Sequence, residues 1–174
     1  MKSKQIVAML CIFVAGIAIG YARGKKTDPS IFSGKSKAEA GKALLEEARH
    51  EAGKGSWENI AVGRAYYLGG MKSEGQEIFD RIAKKEASDW MRIGRVYYEA
   101  NDWPKAKEAF EKALEQKPKD AAWLAEIGGF YNVRGDRAKA EELFKRSFEA
   151  ESGEVWYTVN IGASYLGVEP RGNS

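Results

Sequence analysis

Residues 87–120 read ASDWMRIGRVYYEANDWPKAKEAFEKALEQKPKD, a stretch that holds two helices and the turn between them. Asn101 tolerates the left-handed conformation needed where a first helix must turn, and Asp102 follows as the N-cap of a second. Pro104, two residues into that second helix, lacks an amide hydrogen that would be unpaired there anyway. Pro118 closes the second helix, and Asp120 caps the next one. No part of the chain alternates with period two for long enough to suggest a sheet, so the fold is expected to be all-α.

The pattern recurs on both sides. A glycine followed three residues later by tyrosine stands at Gly63/Tyr66, Gly94/Tyr97, Gly128/Tyr131 and Gly162/Tyr165, in steps of 31, 34 and 34 residues. Thirteen residues after each of the first three tyrosines comes a phenylalanine: Phe79, Phe110 and Phe144. Glycine inside a helix costs roughly 1 kcal/mol relative to alanine, so four at one repeat position need an offsetting contact. The economical explanation is a close approach by a neighbouring helix, with tyrosine and phenylalanine filling the space around it. A period near 34 residues with a helix-turn-helix signature implies a stack of helix pairs.

These residues resemble the tetratricopeptide repeat family. In 87–120 the matching positions are Trp90, Ile93, Gly94, Tyr97, Trp103, Ala106, Phe110, Ala113, Leu114 and Pro118. Residues 121–154 repeat the pattern with Ile127, Gly128, Tyr131, Gly135, Ala140 and Phe144. Residues 56–86 form a shortened copy with Val62, Gly63, Tyr66, Gly70 and Phe79, but with Gly75 where alanine is usual. Its three missing residues are expected to come from the junction into the next repeat. Residues 155–167 supply a first helix alone, similar to the family's terminal capping helix, and 168–174 form a tail. The resemblance implies a short α-solenoid over 56–167.

Ahead of the repeats, residues 38–53 are rich in helix formers, with Leu44, Leu45 and Ala48 as a narrow apolar stripe, and read as a capping helix. Gly53 and Gly55 break it, and Ser56 is the expected N-cap of the next. Residues 27–37 are rich in Ser, Gly, Pro and Lys and read as a linker.

Residues 1–26 differ in kind. Residues 6–22 are 17 uncharged, mostly apolar residues, preceded by Lys2 and Lys4 and followed by Arg23, Lys25 and Lys26. As a helix this run reaches roughly 25 Å, against about 30 Å of bilayer hydrocarbon. It reads as an uncleaved membrane anchor or as a signal peptide cleaved after Gly20 or Ala22. Either way the repeats are expected outside the cytoplasm: a bacterial inner-membrane protein with a periplasmic repeat domain, or a soluble periplasmic one. Cys11 follows Leu10 rather than a small residue and lies inside the apolar run, unlike an acylated cysteine. As the single cysteine it allows no intramolecular disulfide.

The chain's formal charge of +3 belongs to this segment, which holds five basic residues and no acids. Residues 27–174 carry 23 basic against 25 acidic side chains, so nucleic acid is not an expected partner. No phosphate loop, nucleophile motif or metal-spaced cluster stands in the sequence, and His50, the one histidine, lies in a polar helical stretch. Neither enzymatic activity, nor a cofactor, nor a metal is expected.

In the family the first helix of each repeat lines the concave wall. The resemblance therefore points to Arg64, Tyr67, Met91, Arg95, Tyr98, Asn132 and Asn160 as a partner-binding groove. Guanidinium groups beside aromatic rims suit an extended peptide. Chaperone-binding members clamp a terminal carboxylate with lysine, asparagine and arginine at set positions. Ile60 and Arg64 replace two of these, and Arg92 and Ala122 do not restore the set, so that clamp is not expected. The expected function is a membrane-tethered adaptor for a protein or peptide in envelope assembly, secretion or folding. The alternative is weak homo-association through the terminal helix, motivated by Trp156 and Tyr157.

Overall fold

The computed structural model of the chain describes residues 27–170. The apolar segment 6–22, the rest of 1–26 and the end of the tail at 171–174 lie outside the described residues. Among the described residues no helix is long and apolar enough to cross a membrane. These residues form two compact units, one up to Leu44 and one from Leu45.

In the first unit the expected linker contains a 3-10 turn, Pro29–Ile31, whose N-cap Asp28 accepts from the Ser30 amide at 2.8 Å. Ser36 then caps the first α-helix, α1 (Lys37–Ala52). Its hydroxyl donates to Glu39 Oε2 at 2.7 Å, and its amide donates to the same oxygen at 3.0 Å.

The second unit is a stack of helix pairs: α2 (Ser56–Leu68) with α3 (Lys72–Arg81), α4 (Ala87–Glu99) with α5 (Trp103–Gln116), and α6 (Ala121–Val133) with α7 (Arg137–Ala150). The lone α8 (Val155–Tyr165) packs on α6. The described residues hold eight α-helices and no strand. Asn101 has φ 59° and Gly135 has φ 88°, as their place between paired helices requires. Asp120 and Asp136 cap α6 and α7, accepting from the amides of Trp123 and Lys139 at 3.1 Å. Asp102 stands at the N-cap of α5 but turns its carboxylate to the Tyr67 hydroxyl at 3.0 Å. The N-cap of α2 is Gly55; Ser56 is already in the helix, since the chain leaves α1 one residue sooner than its side chains suggest.

The glycine pulse records contacts within pairs. A Cβ on Gly94 would lie 2.5 Å from Cδ1 of Phe110, and one on Gly128 would lie 2.6 Å from Cε1 of Phe144. Gly63 meets Phe79 in the same way. Each second helix thus sets its phenylalanine ring on the bare backbone of the first. Gly162 on α8 has no following helix among the described residues, and nothing lies within 4 Å of its missing side chain.

The first repeat is short for a different reason than the sequence suggested. α3 has 10 residues where α5 and α7 have 14, so the loss is the last turn of the second helix and not the junction. Gly75 in α3 compensates by close approach: a Cβ there would lie 2.8 Å from the Tyr67 amide and 2.7 Å from the Gly63 carbonyl. Between repeats the core is aromatic. Tyr67 meets Tyr97 edge-on at 5.3 Å, Phe110 and Phe130 stack at 5.3 Å with planes 5° apart, and Trp103 meets Tyr131 at 4.9 Å. Leu45 and Ala48 of α1 pack on Val62, Tyr66 and Ile78, and the Tyr66 hydroxyl donates to Glu46 at 2.9 Å.

Candidate functional site

The first helices of the pairs carry side chains at helical spacing on one face: Trp57, Ile60, Ala61 and Arg64 on α2; Arg92, Arg95, Val96 and Glu99 on α4; Glu126 and Phe130 on α6. Positions i, i+3, i+4 and i+7 share a face, so these three stripes line one open groove of about 610 Å³. Ile60, Val96, Tyr98 and Phe130 are buried and form its floor, while Trp57 stands exposed at one edge.

The charges on the walls are paired in two cases. Arg95 donates from Nε and Nη2 to the two carboxylate oxygens of Glu126 at 2.6 and 2.7 Å. This joins α4 to α6 with the glutamate side chain only 5% exposed. Arg64 holds Glu99 in the same bidentate way at 2.8 and 2.6 Å, but both side chains are half in water. Hydrogen bonding to that glutamate raises the Arg64 guanidinium above its ordinary value.

Arg92 differs. It lies 3.4 Å over the ring of Trp57 and donates to the Ser88 carbonyl at 3.3 Å, and among the described residues it has no ion pair. Burial, and then the neighbouring charge of Arg95, pull its guanidinium below the ordinary value. Asp89, one turn away, offsets this in part without making an ion pair, so the groove offers one stacked cation with no carboxylate in contact among the described residues, a fit for a carboxylate or backbone carbonyl.

Of the residues expected to form the site, the structure brings Arg64, Arg95 and Tyr98 together at the groove. Tyr67 and Met91 do not reach it: they are 2% and 1% exposed and belong to the core between repeats. Tyr67 is held there by Asp102, by Phe79 and by Tyr97. Asn132 donates to the Ser164 hydroxyl at 3.0 Å, tying α6 to α8, and Asn160 is half-buried on α8; neither lines the groove. Trp57, Glu126 and Phe130 line it without having been singled out from the sequence, and so do Ile60 and Arg92, which the sequence marked only as departures from the carboxylate clamp. The signal that marks them is the i, i+3, i+4, i+7 stripe itself, read one turn ahead of the signature glycines.

The far end of the groove is closed by the chain's own residues Glu169 and Pro170. Tyr98 donates its hydroxyl to Glu169 Oε1 at 3.3 Å. Burial first, and then this carboxylate, raise the Tyr98 ionisation above its ordinary value. Among the described residues no group of three or more His, Cys, Asp or Glu could hold a metal ion.

A comparison with curated proteins returns no match. Residues 87–120 match the tetratricopeptide repeat family. Stacked helix pairs of this kind serve as scaffolds for protein–protein interaction. The matched unit is α4, α5 and their junction, so this part of the chain is similar to a tetratricopeptide repeat.

Proposed function

We propose that the chain is an adaptor that binds an extended segment of a partner protein in the groove between Trp57 and Phe130. The observation that carries this reading is Arg92, a guanidinium stacked at 3.4 Å on Trp57 with no carboxylate partner among the described residues, beside an apolar floor. An extended segment can satisfy that cation with a carboxylate or carbonyl while laying apolar side chains on Ile60, Val96 and Phe130. Photocrosslinking tests it, with the crosslinker at exposed Ala61. The full-length chain should yield a discrete protein adduct, and Arg92→Glu with Trp57→Ala should abolish it while leaving the helical circular dichroism unchanged. An adduct that survives both substitutions removes the groove from the reading.

The apolar run 6–22 and its flanking lysines and arginine support the finer proposal of a bacterial inner-membrane tether with the repeats in the periplasm. There the adaptor would serve assembly, secretion or folding of envelope proteins. An alkaline phosphatase fused after residue 170 should be active; a stable but inactive fusion places the repeats in the cytoplasm.

One observation favours self-association as a second reading. α8 leaves Val155, Trp156 and Val159 at least half exposed on the outer face of a terminal helix. Tyr157 does not share that face, since it is half-buried and donates to Glu151 at 2.9 Å. A sedimentation coefficient that does not change with protein concentration would exclude this reading.

A further inference from the structure

The two residues that close the groove arrive there by a built turn. Beyond α8 the amide of Gly167 donates to the Ser164 carbonyl at 3.1 Å and that of Val168 to the Ala163 carbonyl at 3.0 Å. Gly167 has φ 76°. This is a Schellman-type termination, which reverses the chain at a specified residue. It sends Glu169 and Pro170 back toward α6.

A prepared place receives them. The residue after the signature glycine is arginine in the first two repeats, Arg64 and Arg95, but Gly129 in the third. A Cβ on Gly129 would lie 2.6 Å from Cγ of Pro170, so the proline ring sits on bare backbone where an arginine side chain would otherwise begin. Pro170 is buried, and beside it Glu169 takes the hydroxyl hydrogen of Tyr98. A proline ring with a preset backbone docks at small entropic cost, and a carboxylate suits a groove holding an arginine without an ion pair among the described residues.

We propose that Glu169–Pro170 is an internal ligand of the groove, and that the partner segment carries the same chemistry, a carboxylate followed by proline, and displaces it. The proposal rests on the groove reading above and adds the identity of the recognised pair and its competition in cis. An internal ligand that fills the site nine-tenths of the time weakens a competing segment roughly tenfold.

The test is fluorescence anisotropy of a labelled synthetic peptide of residues 166–174 with the full-length chain in detergent. Glu169→Gln with Pro170→Ala vacates the site beyond α8, outside every helix, and an unchanged helical circular dichroism checks that the stack is kept. This variant should bind the peptide about tenfold more tightly than the unmodified chain. A peptide with glutamine and alanine in place of the pair should bind neither, and Arg92→Glu should reduce binding of the original peptide. Equal affinity of the two chains overturns the competition in cis. Equal binding of both peptides, or no binding to the vacated chain, overturns the assigned ligand pair. In each case the crosslinking experiment decides the groove reading separately.

Discussion

Arg95 holds Glu126 across the gap between two repeats, with one guanidinium edge on both carboxylate oxygens at 2.6 and 2.7 Å. The glutamate side chain is 5% exposed, whereas in the parallel pair Arg64–Glu99 both partners are about half exposed. Removing one member of a buried pair strands an uncompensated charge, while an exposed pair contributes little. Arg95→Ala is therefore expected to lower stability by roughly 3 kcal/mol, the low end for buried pairs, because the groove admits water to the arginine. Arg64→Ala is expected to lower it by less than about 1 kcal/mol. Urea denaturation of both variants checks this; equal losses would mean that Glu126 is solvated in solution.

Gly94 and Gly162 hold the same position in the repeat but are expected to respond oppositely to alanine. A Cβ at residue 94 collides with the Phe110 ring at 2.5 Å, and overpacking of that kind costs about 1–3 kcal/mol. At residue 162 nothing lies within 4 Å, so the helix-propensity gain of up to about 1 kcal/mol remains. Thermal melts of Gly94→Ala and Gly162→Ala should shift in opposite directions. A destabilised Gly162→Ala would show that its face is covered in solution, as self-association through α8 requires.

Legibility in the sequence follows from what each residue touches. Gly94, Tyr97 and Phe110 read clearly because they meet inside one repeat, at a spacing that every repeat must reproduce. Tyr67 and Tyr98 look equivalent, yet the first is buried against Asp102, while the second turns its ring onto Phe130 at 4.3 Å and its hydroxyl to Glu169. Asp136, the counterpart of Asp102, caps α7 instead. Arg92 and Trp57 belong to different repeats, and no spacing within one helix announces their stacking. Pro170 lies in a tail without period, and its only trace upstream is Gly129 in place of an arginine.

Asp102 and Asp136 occupy matching N-cap positions and are expected to fail for different reasons. Asp136→Ala removes an acceptor from the Lys139 amide and is expected to cost about 1 kcal/mol. The Asp102 carboxylate caps no amide of its own helix, so Asp102→Ala instead leaves the Tyr67 hydroxyl short of its 3.0 Å acceptor, at a cost of roughly 1–3 kcal/mol. In a Tyr67→Phe background the Asp102 cost should shrink and the Asp136 cost should not. A double-mutant cycle with no coupling between residues 67 and 102 would refute this division.

Four core tyrosines give the stack a limit in alkali. Burial first, with neighbouring carboxylates adding to it, pushes Tyr66, Tyr67 and Tyr131 up to about 12 from the ordinary 10, and burial does the same for Tyr97. A folded-state value above the unfolded one means that between pH 10 and 12 the unfolded chain releases protons that the folded chain keeps. The contribution is thus fully present below pH 10 and is lost as pH rises toward 12. Chemical denaturation at stepped pH should show stability falling through that window, together with a sharp rise in tyrosinate absorbance on unfolding. Tyr67→Phe and Tyr131→Phe should each flatten the fall. If neither changes the slope, the hydroxyls are not held in their neutral form by the fold, and alkaline loss must come from the lysine and arginine pairs instead.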